Sequence, residues 1–535
     1  MIETPTFSKG AVAAPHHLAA EAGRAMLAEK GNAIEAMLAM AATIAVVYPH
    51  MNSFGGDAFW LIREPGGRMR YIEAAGFAGS LATIRRYREM GHDSIPMRGP
   101  QATLTVPGAV GGWVLAQSMA KALGGQLPLS ILLEPSICHA SNGYPVSSSE
   151  ARGKPNEYDA LKEAPGFAET YLANDALPTA GTLRKPAKLG DMLRQMADAG
   201  YQDFYRGDIA REIAADLSKI DAPVTREDLE RFEAIERLPL HVRLRHADVY
   251  NAPPPTQGVA SLIILALYDR LVANGSVGGP EGFEHHHALI EASKHGLSVR
   301  DRIVTDFDRL GAKPEAFLTK EALDRRATAI DMGRAAPFPL PQDSGDTIWM
   351  GAIDQNGLAV SYIQSIYWEY GSGCVLPRTG VLMQNRGGSF SLDPASRNPL
   401  QPGRRPFHTL NPAIAALSDG RVICYGSMGG DGQPQFQAQL FARYAHFGMR
   451  LADAVDMPRW LLGRTWGQTS TSLKYEDRFD DSLIRALDRA GHNLEPLNIP
   501  YSETAGHAGA VVRHPKGRYE AVHDPRSDGG AAGIS

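Results

Sequence analysis

The chain has 535 residues, of which 44% are hydrophobic and 21% are charged, so it can form a large core and is not a disordered protein. Its 54 Lys and Arg residues against 59 Asp and Glu residues give a net charge of −5, which provides no general attraction to nucleic acid or to an anionic membrane. Three cysteines exclude a disulfide scaffold and suit a reducing compartment.

The most apolar stretches, residues 36–47 and 259–267, are shorter than the roughly 20 residues that a membrane-spanning helix needs. The first ten residues, MIETPTFSKG, lack a basic region followed by an apolar core and predict no secretory signal. We therefore expect a cytoplasmic protein with no membrane partner and no nucleic-acid partner.

Helical patterns dominate the first two thirds of the chain, and short β-type runs separated by turn residues dominate the last third. Early helices and late strands indicate sheets covered by helices. The predicted helices are 17–30, 33–47, a helix that begins at a loose capping box of Thr225 with Asp228, 262–271 and 288–302. The predicted strands are 58–62, 347–353, 358–366, 380–384, 412–417, 422–425, 508–513 and 518–522.

Most standard motifs of enzyme chemistry are absent from the sequence. It contains no phosphate-binding loop, no H-E-x-x-H or C-x-x-C metal motif and no G-x-S-x-G nucleophile elbow. His285-His286-His287 could suggest a metal, but three consecutive helical residues point about 100° apart and cannot share one ion. We expect no metal and no cofactor.

Thr347 stands at the start of a predicted strand, in Asp346-Thr347-Ile348-Trp349, with Asn356-Gly357 as the following hairpin turn. The pattern alone indicates an ordinary strand residue. The interpretation changes because eight segments occur together in one order. They are 19–36 (AAEAGRAMLAEKGNAIEA), 49–59 (PHMNSFGGDAF), 106–113 (VPGAVGGW), 253–258 (PPPTQG), 346–360, 407–412 (FHTLNP), 427–435 (SMGGDGQPQ) and 523–530 (HDPRSDGG).

With these segments the chain resembles, nearly end to end, the γ-glutamyltransferase family of N-terminal-nucleophile hydrolases. The resemblance implies an α+β fold, a four-layer αββα sandwich. It also implies a precursor that cuts itself between Asp346 and Thr347. The products would be a large subunit, 1–346, and a small subunit, 347–535, intertwined in one domain as an αβ heterodimer that could dimerise further.

The resemblance assigns the catalytic roles as well. Thr347 would be the nucleophile, and its freed α-amino group, with a pKa near 7.7–8, would accept the hydroxyl proton. Gly429 and Gly430 would form the oxyanion hole with their backbone N–H groups. Ser365 would place a second hydroxyl near the nucleophile.

The residues that clamp glutamate in γ-glutamyl enzymes are replaced in this sequence. The arginine position falls near Leu81, the asparagine becomes Tyr367, the aspartate becomes Ser389, and the serine pair becomes His408-Thr409. Without the aspartate, no evident partner remains for a substrate ammonium group, whose unpaired burial would be costly. We therefore expect a smaller amide as the substrate.

Oxamate amidohydrolase-like members of the family are similar in segments 95–108, 405–412 and 427–435. Oxamate carries a carboxylate and no ammonium group, and the carboxylate needs a cation or several donors. We predict a small-molecule site with Tyr367, Arg386, Ser389, His408 and Thr409 at the substrate, whereas Arg404-Arg405 could equally be a solvated pair. The expected reaction converts oxamate to oxalate and ammonia, in purine and allantoin nitrogen salvage.

Three alternatives stay open at this point. The chain could act on γ-glutamyl compounds such as glutathione, or it could be an acylase for N-acyl compounds such as β-lactam side chains. It could also be a non-catalytic binding protein on the same scaffold, although the presence of Thr347, Ser365, Gly429 and Gly430 argues against that.

Overall fold

The structure is a computed structural model that describes residues 4–153, 158–338, 346–463 and 470–535. Its strands are β1 Thr6–Phe7, β2 Gly10–Ala14, β3 Asp57–Arg63, β4 Met69–Ala74, β5 Tyr144–Pro145, β6 Leu183–Arg184, β7 Ile235–Arg237, β8 Leu240–Arg243, β9 Ala247–Asn251, β10 Asp346–Asp354, β11 Ala359–Tyr367, β12 Ala413–Leu417, β13 Val422–Ser427, β14 Trp460–Leu462, β15 Leu473–Tyr475, β16 Leu494–Pro496, β17 Ala508–Arg513, β18 Tyr519–His523 and β19 Gly530–Ile534.

The helices begin at polar caps that the sequence partly reveals. Asn32 and Glu35 form a capping box at the start of the second helix, and Thr225 with Asp228 forms the predicted one. The helices are α1 His17–Ala28, α2 Ala33–Val47, α3 Ile84–Glu89, α4 Ala109–Ala122, α5 Leu129–Asn142, α6 Ser148–Ala151, α7 Asp159–Lys162, α8 Phe167–Tyr171, α9 Ala187–Ala199, α10 Asp203–Arg206, α11 Asp208–Lys219, α12 Arg226–Arg231, α13 Gly258–Ala273, α14 Phe283–Ile303, α15 Lys320–Thr328, α16 Gln433–Phe441, α17 Leu451–Asp456 and α18 Asp481–Ala490.

Two large sheets form the centre of the molecule, and every pairing within them is antiparallel. The first sheet has the order β19-β2-β10-β11-β3-β4-β7 and the second β1-β18-β17-β13-β12-β9-β8. Both sheets combine strands from both ends of the chain. In the first sheet, β10 and β11 lie between the early strands β2 and β3, and in the second, β12, β13, β17 and β18 lie between β1 and β9. The predicted subunits 1–346 and 347–535 therefore share each sheet.

Side-chain alternation along the strands divides the core into layers. Phe59 and Leu61 of β3 pack with Ile414 and Val511 of the second sheet, in the cluster between the sheets. Their neighbour Trp60 belongs to a cluster shared with helices α1, α2, α4 and α5. Helices α13, α14 and α16 cover the outer face of the second sheet. The layers are thus helix, sheet, sheet and helix, which confirms the predicted αββα sandwich.

The predicted strand 380–384 is wrong. The segment forms only isolated bridges, Leu382 with Val375 and Met383 with Gly55, and Gly380 has a positive φ of 74°. Its apolar side chains pack in a loop that forms single bridges and no continuous strand pairing. The pattern of apolar residues does not distinguish these two cases. The other strand predictions are confirmed. Across the described ranges, we find no helix with the length and apolar character needed to cross a bilayer.

Trp349 of β10 fills the space between the two sheets, only two residues after Thr347. It is 1% exposed, and its Nε1 donates to Ser361 Oγ at 2.9 Å. Glycines leave room for the ring: a Cβ at Gly509 would lie 2.6 Å from Trp349 Cζ3, and a Cβ at Gly426 would overlap the pyrrole edge. The end of the sandwich that carries Thr347 depends on this close packing.

We predict that Gly426→Ala lowers the free energy of unfolding by about 1–3 kcal/mol, because the added methyl group overlaps a ring that has no room to move. Chemical denaturation is the measurement. Gly279→Ala is the matched control, since a Cβ there meets no atom within 4 Å. Equal stability of the two variants would contradict the packing described for Trp349.

Candidate active site

Thr347 is the second residue of strand β10, lies between the two sheets and is fully buried. Asp346 pairs with Tyr367 and Ile348 with Gln364, so the register is irregular at Thr347 and two residues of β11 lie opposite one of β10. Such a bulge redirects side chains, often beside functional sites. The Oγ1 atom of Thr347 accepts a hydrogen bond of 3.3 Å from Gln433 Nε2 at the start of α16.

The turn Gly429-Gly430 connects β13 to α16 and so lies next to Gln433. Both glycines have positive φ, 114° and 52°, and a Cβ at Gly429 would lie 2.8 Å from the Phe436 ring. This backbone requires glycine. The Gly429 carbonyl accepts from Gly432 N at 2.8 Å, whereas neither glycine N–H donates to another described backbone group. Two free N–H groups near a hydroxyl fit an oxyanion hole.

Gln257 holds this turn and was missed as a functional residue, although it lies in the segment 253–258. Its Nε2 donates to Gly430 O at 2.8 Å and to Thr409 O at 2.6 Å. Arg300 in turn donates to Gln257 Oε1 at 2.9 Å and to Asp431 Oδ1 at 2.6 Å. All of these side chains are fully buried, so the network fixes the turn relative to the loop before β12.

Ser365 is a buried residue of β11, at the bulge opposite Thr347. Its Oγ accepts a 2.8 Å hydrogen bond from Tyr367 N. Tyr367 has a φ of 85°, a strained backbone for a residue other than glycine, and the serine contact helps to hold it there. The structure thus places Ser365 beside the predicted nucleophile and also shows it supporting the turn at Tyr367.

Arg386 lies in the short turn Arg386–Ser389 and stacks on the Tyr367 ring, with 4.0 Å from its guanidinium carbon to the ring centre. The side chain is 1% exposed, and Nη1 and Nη2 have no hydrogen-bond partner among the described residues. Burial lowers the pKa of Arg386 to about 10, so it stays charged at neutral pH. A buried cation with two unsatisfied donor atoms is a site for an anion.

His408 and Thr409 lie in the loop before β12, close to this arginine. Neither ring nitrogen of His408 nor Oγ1 of Thr409 has a hydrogen-bond partner in the described chain, although both residues are fully buried. Burial, with the charges of Arg386 and Arg405, holds the pKa of His408 well below its usual range, so the ring is neutral. Ser389 differs, because its Oγ donates to Phe407 O at 3.2 Å.

Asp57 is the charged residue of the site that sequence reasoning missed. Its Oδ1 accepts from Gly76 N at 2.8 Å and Gly108 N at 3.0 Å, whereas Oδ2 has no hydrogen bond and lies 3.5 Å from His408 Nε2. Asp57 is the register partner of Ser365. Burial raises the pKa of its carboxyl to about 7. An acidic residue at the start of an apolar strand, within 49–59, was the available signal.

The remaining predicted positions are exposed or bonded to other residues, although the charge of Arg405 still acts on His408. Leu81 is 48% exposed, so the residue at the family's arginine position does not enter the site. Arg404 and Arg405 are not a solvated pair: Arg404 donates to Thr305 Oγ1 at 2.7 Å, and Arg405 pairs with Glu73 at 3.0 Å.

The His285-His286-His287 run is divided between two hydrogen-bonded clusters. Trp460 Nε1, which can only donate, contacts His286 Nδ1 at 3.2 Å, so His286 carries its proton on Nε2, facing Glu281 at 3.4 Å. His287 turns to the Asp331 carbonyl and to His492. Nε2 of His285 and Nε2 of His286 have no hydrogen-bond partner among the described residues.

Comparison with known proteins agrees with this geometry. The gamma-glutamyltranspeptidase family model matches residues 19–534. The chain is 48% identical to the oxamate amidohydrolase proenzyme of Klebsiella pneumoniae, over 98% of both chains, and 35% identical to the glutathione hydrolase-like YwrD proenzyme of Bacillus subtilis, over 98% of this chain and 99% of the relative. The crystal structure of cephalosporin acylase from Bacillus halodurans superposes with a TM-score of 0.90 at 30% identity, covering 100% of this chain and 97% of the other.

The match runs over nearly the whole chain, and the fold, the threonine at the head of a central strand and the glycine turn beside it all accompany it. The chain therefore belongs to the gamma-glutamyltranspeptidase family of N-terminal-nucleophile hydrolases and is an enzyme of that family.

Proposed function

We propose that this enzyme is a self-processing threonine amidohydrolase that converts oxamate to oxalate and ammonia. The main support is Arg386, a buried guanidinium with two unsatisfied nitrogens that stacks on Tyr367. Tyr367 is the strand partner of Asp346, the residue before Thr347. A small carboxylate fits such a guanidinium. The similarity to an oxamate amidohydrolase proenzyme supports the same substrate.

Processing breaks the peptide bond between Asp346 and Thr347 and frees the α-amino group of Thr347. The subunits 1–346 and 347–535 then stay together as an αβ heterodimer, because their strands alternate within the first sheet. Further dimerisation, the cytoplasmic location and the role in purine and allantoin nitrogen salvage stay predictions of the sequence.

In the proposed reaction, Thr347 Oγ1 attacks the amide carbon of oxamate while the α-amino group takes its proton. Gly429 N–H and Gly430 N–H stabilise the oxyanion, and Gln257 keeps their turn in place. The C–N bond breaks, the proton passes to the leaving nitrogen, and ammonia departs. Water then attacks the oxalyl ester and the same amine accepts the water's proton. The bond between the acyl carbon and Oγ1 breaks, the amine returns the proton to Thr347 Oγ1, and oxalate leaves.

The substrate carboxylate pairs with Arg386 in this arrangement. His408 and Thr409 supply further polar atoms that are buried and unsatisfied in the described structure, and Tyr367 forms the wall beneath the guanidinium. Ser389 contributes mainly to loop structure, since its hydroxyl is already bonded to Phe407 O. Ser365 lies at the bulge opposite Thr347, where its hydroxyl could assist the nucleophile, and it holds the backbone of Tyr367.

A γ-glutamyl substrate is the second candidate, and Asp57 is the observation that favours it. Its Oδ2 atom has no hydrogen bond, and a carboxylate is the group that would bind a glutamate ammonium. The similarity to a glutathione hydrolase-like protein points the same way. Faster product release from a γ-glutamyl anilide than from oxamate would establish this alternative. The cephalosporin acylase similarity keeps N-acyl compounds as a third class to assay.

We predict that the purified enzyme consists of two polypeptides of about 37 and 20 kDa, by residue share of the 57.7 kDa chain. Thr347→Ala should give one uncut chain and no ammonia release from oxamate, because the hydroxyl is lost. Thr347→Ser is the control and should keep both processing and measurable activity. Denaturing electrophoresis and an ammonia assay test this. An uncut wild type that hydrolyses oxamate would overturn the mechanism.

We predict that Arg386→Met raises the KM for oxamate about 10–150-fold, because a charge-assisted contact of about 1.5–3 kcal/mol is lost. Oxamide is the matched control substrate: it has a second amide in place of the carboxylate, so its kinetics should change far less. Steady-state ammonia release measures both. An equal rise in KM for oxamate and oxamide would show that Arg386 does not bind the carboxylate.

A further inference from the structure

Three ionisable side chains, Asp57, Arg386 and His408, meet in the proposed substrate site, and none is more than 1% exposed. Arg386 is a cation and His408 is neutral at physiological pH. Above its raised pKa of about 7, an ionised Asp57 therefore balances Arg386 before any substrate binds. The added carboxylate of a substrate would bring a second negative charge into the same buried space.

Asp57 is well placed to respond to that charge. Two backbone N–H groups fix its Oδ1, while Oδ2 is unbonded and lies 3.5 Å from His408 Nε2. A protonated Oδ2 could donate a hydrogen bond to the neutral His408 ring, because both ring nitrogens of His408 lack partners. The pair thus has a position for one more proton without a change in the backbone.

The other titratable groups that face this pair do not replace it. Tyr205 of α10 donates to Pro107 O at 2.8 Å, and burial keeps its pKa well above the usual range, so it stays neutral. Tyr367 of β11 lies beneath the Arg386 guanidinium. Arg405 is engaged with Glu73 at 3.0 Å. Among the described residues, Arg386 is the cation whose charge acts on Asp57 and lowers its pKa against the effect of burial.

We propose that binding of a carboxylate at Arg386 is coupled to the uptake of one proton by the Asp57–His408 pair. The inference rests on the proposed function and adds that each carboxylate bound at the site brings one proton with it. The balance is simple: enzyme with ionised Asp57, a carboxylate and a proton from solvent give the complex with protonated Asp57. The site then accepts one negative charge per proton, so the monoanion oxamate is retained and the dianion oxalate is expelled.

The pH dependence follows from the sign of the coupling. Burial raises the pKa of Asp57 to about 7, and a nearby bound carboxylate raises it further. Below pH 7, Asp57 already holds the proton, so KM is constant. Above pH 7, each bound carboxylate must bring a proton from solvent, so KM rises about tenfold per pH unit. The α-amino group of Thr347 affects kcat instead.

The test measures KM for oxamate from pH 6 to 9 by ammonia release. Wild type should change from a flat profile to a tenfold rise per unit near pH 7. Asp57→Asn should give a flat profile, because the amide oxygen keeps the bonds to Gly76 and Gly108 but cannot ionise. Asp354→Asn is the matched control: it removes a buried carboxylate from the far end of β10 and should keep the wild-type profile.

A second measurement separates this inference from the proposed function. Calorimetric titration with acetate at pH 8, in two buffers of different ionisation enthalpy, counts the protons taken up per carboxylate bound. One proton is expected for wild type and none for Asp57→Asn. A flat wild-type KM profile with normal oxamate hydrolysis would overturn the coupling alone. Wild type that takes up no proton with acetate, or does not bind it, would overturn the coupling whether or not oxamate is the substrate.

Discussion

The antiparallel pairing of β10 with β11, and of β11 with β3, is the constraint on which the site depends. It places Thr347 at the bulge beside Ser365, and it places Ser365 directly opposite Asp57. The second sheet supplies the remaining residues of the site, since the Gly429-Gly430 turn follows β13 and the loop with His408 precedes β12. The site is therefore the end of the space between two sheets, and Trp349 closes that space behind it.

Burial explains the chemistry assigned to this end of the sandwich. Polar groups removed from water normally find internal partners, yet Arg386 and His408 have unsatisfied nitrogens at almost no exposure. A bound carboxylate would satisfy the arginine and add charge beside Asp57. In the proposed mechanism, one constraint thus connects carboxylate binding with proton uptake, while the backbone N–H groups of Gly429 and Gly430 are assigned to the oxyanion.

Much of this could be predicted from the sequence, for reasons that differ between features. Thr347, Gly429 and Gly430 were predicted because the segments that carry them occur in the same order as in the family, and their catalytic roles stay predictions. The four layers followed from the same resemblance. Arg386 was predicted from its charge, and the structure shows it buried with two unsatisfied nitrogens. Asp57 and Gln257 were not predicted, although they lie within quoted segments, because their contacts join strands and loops distant in sequence. The prediction of a strand at 380–384 was wrong because its pairing also depends on distant contacts, and the segment forms only single bridges.

Intact-mass spectrometry of the wild-type enzyme, quenched during oxamate turnover, tests the central claim most directly. The account predicts two chains, the smaller beginning at Thr347 and, in part of the sample, carrying one oxalyl group. A fully active preparation that contains only the uncut 535-residue chain would contradict it.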